Sequence, residues 1–388
     1  MRNIHCLNNI SPYGTDLLTD SYALTDDIDS ADGILVRSAA MHDMQFSPKL
    51  EAIARAGAGV NNIPLDRCAE EGIVVFNTPG ANANAVKELV LASLLLGSRD
   101  IIGGIDWCRE NASDPNIAKS VEKAKKQFAG REIQGKKLGV IGLGAIGGMV
   151  ARAALDLGMQ VVGYDPGLRI ERAMSLPSKL TYVTDLMQIA RTCDYITIHV
   201  PAIPPTIGMI NAEFCESMKQ GSVFLNFSRD TLVDLSAMAQ ATKEGRVAKY
   251  ITDFATPETM TMENVIVLPH LGASTAEAED NCAMMAVRQI MDYLDNGNIV
   301  NSVNYPALSM GPVPAEGGRL AVLHKNVPNT IADISAAISG AGVSIITLNN
   351  QTRGEVAYTL VDVDKEGATA AADAVAALEG AYRVRVVK

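Results

Sequence analysis

"KLGVIGLGAIGGMVARAALDLGMQVVGYDP", residues 137–166, decides how the rest of the chain is read. A short apolar run, 137–141, enters a turn with glycines at 142, 144 and 147, and an alanine-rich stretch with helical periodicity follows. A second apolar run then ends on Asp165, 21 residues after Gly144. Strand, G-x-G-x-x-G turn, helix and acid-terminated strand are the parts of a dinucleotide-binding βαβ unit. The glycines Gly142, Gly144 and Gly147 let backbone amides approach a pyrophosphate at the helix N-terminus, where the helix dipole favours negative charge. Asp165 would accept hydrogen bonds from an adenosine ribose and repel a 2′-phosphate, which favours NAD over NADP; Arg169 is the one opposing charge nearby.

The alternation continues on both sides. Downstream, "CDYITIHVP", "GSVFLNFSRD", "VAKYITDFA" and "NVIVLPH" read as further strands, the last a continuous apolar run expected to be buried on both faces. Upstream, "GILVRS" and "GIVVFNTP" read as strands, "PKLEAIARAG" as a helix closed by Gly57, and "AVKELVLASLLLGSRDI" as a strong helix. Residues 99–135 are more polar and read as a connecting arm. A long helix is expected from Ser274 to about Asn296. The stretch "YPALSMGPVPAEGG" (305–318), with three prolines and three glycines, reads as a linker. After it the pattern is β-α-β-β-α-β, a small module expected to stand apart from the rest.

The expected fold is therefore α/β, with two Rossmann-like parallel-sheet domains and a small C-terminal ferredoxin-like α+β domain. The expected divisions are 1–97 completed by 275–305, then 98–274, a linker at 306–318, and 319–388.

Bulk properties narrow the function. A chain of 388 residues with 48% hydrophobic content can bury two or three cores. A net charge of −11 argues against a nucleic-acid or anionic-membrane surface. No apolar run reaches membrane-spanning length, and "MRNIHCLNNI" lacks a signal-peptide core, so a cytoplasmic location is expected. The six cysteines and five histidines are dispersed without metal-ligand spacing, so reduced thiols and no metal are expected.

In an open parallel sheet, ligands bind outside the carboxyl ends of the strands. Three charged residues follow such ends: Arg229 after "SVFLNFS", Glu258 after "YITDFATP", and His270 after "NVIVLP". Removing hydride from a secondary alcohol leaves a hydroxyl proton, and histidine titrates in the range needed to take it. A carboxylate on the other ring nitrogen fixes the tautomer and stabilises the imidazolium. A guanidinium binds a carboxylate through two parallel hydrogen bonds. The substrate this set implies is a 2-hydroxy acid.

The segments "VIGLGAIG", "HVP", "NFSRD", "DFATPE" and "PHLGAST" resemble the D-isomer-specific 2-hydroxyacid dehydrogenases, over about residues 30–305. The resemblance implies Arg229 as carboxylate binder, Glu258 as the histidine's partner and His270 as general acid/base. It implies nucleotide contacts at Ala145, Ile146 and Asp165, and at Val200, Phe227, Asp253, Gly272 and Ala273. In the first domain, "GAGVNN" matches a loop whose amides meet the substrate carboxylate at Gly59 and Val60. Arg37 and Ser38 end a strand and suit a phosphate, and Asn82 lies near the same mouth. Two departures stand out: Asp230 where the family usually has glycine, and Thr259 where proline often follows the glutamate.

"RLAVLHKNVPNTIADISAAISGAGVSIITL" resembles an ACT domain, a ligand-sensing module that pairs with copies on other subunits. That implies a homo-oligomer, dimer or tetramer, and a possible amino-acid effector site at His324 and Asn326. Ser344 and Asn329 depart from the usual pattern there, which weakens the case for an effector. The expected activity is NAD-dependent oxidation of a small phosphorylated 2-hydroxy acid. The enzymatic rival is a hydroxypyruvate or glyoxylate reductase on the same scaffold. The rival of another class is a non-catalytic NAD-sensing binding protein.

Overall fold

Short apolar runs rich in valine, isoleucine and alanine build the first sheet: β1 (Arg2–Cys6), β2 (Tyr22–Leu24), β3 (Gly33–Val36), β4 (Ala52–Arg55) and β5 (Val74–Phe76). They pair in parallel in the order β2-β1-β3-β4-β5. The computed structural model describes residues 1–387, which fall into two units. One is Met1–Asn82 together with the stretch from Ala276 onward; the other is Ala83–Thr275.

The segment expected as a helix around residues 48–57 is β4 instead. Ile53 pairs with Ile34 on one side and Val75 on the other, and Ala52, Ile53 and Ala54 are fully buried. Alanine and arginine favour helix in isolation, but a central slot in a parallel sheet satisfies every backbone group and overrides that preference. The helix Ala276–Asn296 belongs to the same unit; its apolar stripe, including Ala283, Ala286, Val287, Ile290 and Tyr293, joins the core formed with Ala52, Ala54 and Phe76.

The second unit carries β6 (Lys137–Ile141), β7 (Gln160–Tyr164), β8 (Thr181–Tyr182), β9 (Tyr195–Ile198), β10 (Ser222–Asn226), β11 (Val247–Thr252) and β12 (Val265–Val267). All are parallel, in the order β12-β11-β10-β9-β6-β7-β8. Strand order therefore reverses between β6 and β9, which opens a crevice at their carboxyl ends. The helix Ala83–Leu96 covers this sheet through Val86, Val90 and Leu94, packed with Val140, Val150 and Leu225. The chain thus divides at 82/83, where the sequence suggested 97/98. Helical periodicity reveals an apolar stripe but not which sheet it will cover. Residues 99–135 hold the helices Ile101–Glu110 and Ile117–Ala124, neither of which has a buried residue. β12 pairs only with β11, so it is an edge strand and its residues are half-buried, not enclosed on both faces as expected.

The C-terminal strands β13 (Gly317–Lys325), β14 (Ile345–Arg353), β15 (Val356–Asp364) and β16 (Ala381–Val386) form an antiparallel sheet in the order β14-β15-β13-β16. The helices Thr330–Gly340 and Ala368–Ala376 complete the expected ferredoxin-like topology, with Ile334, Ile338, Ala371 and Val375 packed on Leu320, Val322 and Val361. Its standing apart is not observed. The opposite face, through Leu323, Tyr358 and Leu360, shares one core with Phe76, Tyr293 and Tyr305. The stretch expected as a linker is packed as well: Leu308 and Val313 are core residues, and the Tyr305 hydroxyl donates to the Ala69 carbonyl at 2.6 Å. Proline and glycine make a segment irregular; here its apolar residues still bury.

No helix among the described residues is long and apolar enough to cross a membrane.

Candidate active site

The glycine turn is built for a close approach. Gly142 has φ +89° and a Cβ there would strike the His199 carbonyl; a Cβ at 147 would overlap the Gly142 carbonyl oxygen. Only glycine meets both demands. Gly144 is different. It precedes the helix Ala145–Asp156, it is exposed, and a Cβ would have nothing within 4 Å. The open space lies where the amides of Ala145 and Ile146 begin the helix, which suits a pyrophosphate. Asp165 follows β7; its Oδ2 accepts from the Leu143 N–H at 2.9 Å and its Oδ1 from the Gly167 N–H at 3.0 Å, so the acid also holds the turn in shape.

Behind the turn, His199 is held neutral, with burial pushing its pKa down to about 3. One ring nitrogen, Nε2, lies 3.0 Å from the Thr197 hydroxyl. Val200 follows it at the carboxyl end of β9, half-buried. Phe227, after β10, is buried in the core, which leaves its backbone as the part able to meet a ligand.

The charged residues gather around a buried carboxyl. Asp253, directly after β11, is 3% exposed. Its Oδ2 accepts from the Gly272 N–H at 2.9 Å, while its Oδ1 is buried without a hydrogen-bond partner. Burial pushes this carboxyl up; the Gly272 N–H and the charges of His270 and Arg229 pull it back. His270 and Arg229, 41 positions apart in sequence, are thus brought within electrostatic reach of one group. His270 itself is exposed, with its ring edge-on to Phe254 at 5.4 Å. Its φ is +51°, a left-handed conformation costly for a residue with a Cβ and held here by its N–H donating to the Asp253 and Leu268 carbonyls, both at 3.0 Å. Such strain concentrates at functional sites.

Glu258 is not brought to His270: among the described residues no hydrogen bond or ion pair joins them. It is exposed in the short helix Pro257–Thr261, where its own backbone N–H and the Thr256 hydroxyl hold its carboxyl below the usual range. The departure at Thr259 has a local reason. Thr259 and Thr256 cap that helix reciprocally, each hydroxyl accepting the other's N–H at 2.9 and 3.2 Å. Asp230 is exposed and accepts from the Thr231 N–H at 2.8 Å.

In the other unit, Arg37 and Ser38 follow β3, and Gly59 and Val60 follow β4, all at carboxyl ends. Asn82 precedes the helix Ala83–Leu96. A residue not singled out in the sequence organises the first loop: the Asn8 side-chain carbonyl accepts the N–H groups of Arg37, Ser38 and Ala39 at 2.9, 3.0 and 3.1 Å. The guanidinium of Arg37 pairs with Glu279 at 2.6 Å.

In the C-terminal module His324 is 2% exposed and both ring nitrogens are engaged, Nδ1 with the Lys325 carbonyl and Nε2 with the Thr359 hydroxyl, each at 2.8 Å. The ring expected to meet an effector is turned into the sheet. Every residue of β13 before Lys325 is buried, because helices cover one face and the shared core covers the other. Asn326 is exposed and donates to the Gly354 carbonyl at 2.9 Å.

A doubly wound parallel sheet with this turn at its switch point defines a dinucleotide-binding α/β protein. The model of the D-isomer specific 2-hydroxyacid dehydrogenase NAD-binding domain matches residues 91–272. The D-3-phosphoglycerate dehydrogenase of Haemophilus influenzae is 31% identical over 358 residues, covering 89% of this chain and 83% of its own. That of Escherichia coli is 33% identical over 354 residues, with 87% and 82% covered. Among solved structures, an NAD+-bound 3-phosphoglycerate dehydrogenase of Entamoeba histolytica superposes with a TM-score of 0.61 at 26% identity, covering 79% of this chain and 99% of its own. A glyoxylate/hydroxypyruvate reductase of Sinorhizobium meliloti shares the fold, with a TM-score of 0.64 at 22% identity, covering 78% of this chain and 98% of its own. The chain belongs to the D-isomer-specific 2-hydroxyacid dehydrogenase family. It is an NAD-dependent oxidoreductase of that class.

The site fits that cofactor on its own terms: the turn leaves room at Gly144, and the orphaned Oδ1 of Asp253 is an acceptor awaiting an N–H donor.

Proposed function

We propose that the chain interconverts 3-phospho-D-glycerate and 3-phosphohydroxypyruvate, the opening step of L-serine synthesis, in the cytoplasm. The names of its relatives support the substrate. The observation that carries the chemistry is the seating of His270 on Asp253 at the strand ends: the His270 N–H donates to the Asp253 carbonyl at 3.0 Å and the Gly272 N–H to the Asp253 Oδ2 at 2.9 Å.

NAD would be held by the Gly142–Gly147 turn, by Asp165, and by Val200, Phe227, Asp253, Gly272 and Ala273; when bound it supplies the acceptor for hydride from carbon 2. Arg229 would take the substrate carboxylate through paired N–H donors and fix which face of that carbon is presented. The imidazole of His270 would take the hydroxyl proton and return it in reverse. Glu258 would stabilise the resulting imidazolium once its carboxylate leaves its own helix terminus; catalytic hydrogen bonds often tighten only when ligands are bound. Gly59 and Val60 would add backbone amides for the carboxylate. Arg37, Ser38 and Asn82 would receive the phosphate. The C-terminal module would serve assembly into a homo-oligomer, with β14, one of its two edge strands, offering the pairing edge.

NADH consumption measured in parallel with 3-phosphohydroxypyruvate, hydroxypyruvate and glyoxylate tests this reading. It requires the phosphorylated acceptor to have the highest kcat/KM. Equal or better turnover of the other two would make the chain a reductase of unphosphorylated acids, and no turnover of any would leave an NAD-binding protein.

A further inference from the structure

The ion pair between Arg37 and Glu279 joins positions 242 residues apart, and it occupies the guanidinium assigned above to a phosphate. Arg37 is otherwise fixed: its N–H donates to Asn8 and its carbonyl accepts from the Arg55 Nε at 3.0 Å. Glu279 sits in the first turn of the helix Ala276–Asn296, where the helix dipole favours an anion. With Arg55 bonded to the Arg37 backbone and Glu279 to its guanidinium, two cations and one carboxylate share this corner. The corner is arranged for an anion, and the chain supplies its own.

We propose that Glu279 is a substrate-mimicking gate: its carboxylate stands in for the phosphate on Arg37 and sets how strongly the enzyme prefers phosphorylated over unphosphorylated 2-hydroxy acids. The inference rests on the reading of Arg37 as phosphate binder. Both partners are close to half exposed, 44% and 43%, so the pair is weak and opens readily. A phosphate dianion offers more charge and a bidentate geometry, and it displaces the carboxylate. The displaced carboxylate remains beside the newcomer and repels it. An acid without a phosphate places no charge there and is indifferent to the gate. Glu279 thereby lowers affinity for the phosphorylated substrate without touching the reacting carbon.

The test compares the parent with Glu279→Gln, Glu279→Asp and Arg37→Ala on 3-phosphohydroxypyruvate and hydroxypyruvate, with inorganic phosphate as competing inhibitor. Glu279→Gln should raise the kcat/KM ratio of phosphorylated to unphosphorylated acceptor about threefold to tenfold, through KM with kcat unmoved, and tighten phosphate inhibition by a similar factor. Glu279→Asp, which keeps the charge, should stay near the parent. Arg37→Ala should abolish the preference. If Arg37→Ala leaves the preference intact, the phosphate reading of Arg37 fails. If Arg37→Ala abolishes it while Glu279→Gln leaves the ratio unchanged or lowers it, the gate alone is overturned.

Discussion

Asp253, just past the end of β11, and Asp362, within β15, are both buried carboxyls, and they live by opposite rules. Asp362 in β15 meets Arg319 of β13 through two parallel bonds, Nε to Oδ1 at 2.6 Å and Nη2 to Oδ2 at 3.0 Å. Arg319 spends its remaining donors on the carbonyls of Asn296, Gly311 and Met310, at 3.0, 2.7 and 3.4 Å. Nothing in that cluster is left over, and it ties the end of a helix and the proline-rich stretch to the C-terminal sheet. Asp253 has one bond from a backbone N–H and one oxygen with no partner. A buried charge fully paired is a structural fastener; a buried polar atom left unpaired is costly and persists where a ligand is to complete it.

That contrast can be broken at several points. The largest effect is expected at His270, where His270→Ala should lower kcat about 10²–10⁴-fold while NADH still binds by fluorescence titration. A rate within fivefold of the parent would detach the site from the chemistry. Next comes the fastener. Arg319→Ala leaves Asp362 uncompensated and should cost about 3–5 kcal/mol in chemical denaturation, whereas replacing both by apolar residues of similar size should cost far less. Equal losses in the two variants would mean that the pair itself, and not the abandoned charge, carries the effect.

Arg229→Ala should lower kcat/KM about 10–100-fold, mostly through KM, the range for losing a charge-assisted bond. An unmoved KM would remove Arg229 from the substrate. The smallest effect is also the sharpest in sign. Burial raises the Asp253 carboxyl, so the folded state favours its protonated form, and stability present below the ordinary aspartate range is lost as pH rises through the raised value. Asp253→Asn should therefore melt higher than the parent at pH 7, with the gain fading as the pH falls toward 4, although cofactor binding weakens. A variant less stable at pH 7 would show that Asp253 is a fastener after all.

Much of the site was legible because its signals are local. The Gly142–Gly147 spacing, the acid ending β7, and charged residues following the runs that became β10 and β12 need only a short window of sequence. The six elements of the C-terminal module were readable for the same reason, since each has its own period and is bounded by turn residues. Other features were not. "EAIAR" has no strand signature, and only its flanking by β3 and β5 makes it one. The apolar content of β12 does not reveal that it lies at an edge. The burial of His324 follows from cover on both faces of β13, which no motif around "HKN" announces.

The sequence by itself determined the parallel alternation, the nucleotide turn and the ferredoxin-like order at the C-terminus, and it supplied the residues proposed here for hydride chemistry. Tertiary structure alone decided that the buried Asp253 lies within reach of the charges of His270 and Arg229, that Glu258 makes no bond to the imidazole among the described residues, that Glu279 holds Arg37, and that the proline-rich stretch is packed. The division has one cause. Periodicity and turn chemistry are set by neighbours a few residues away, whereas burial and charge partners depend on which distant segments the fold brings together.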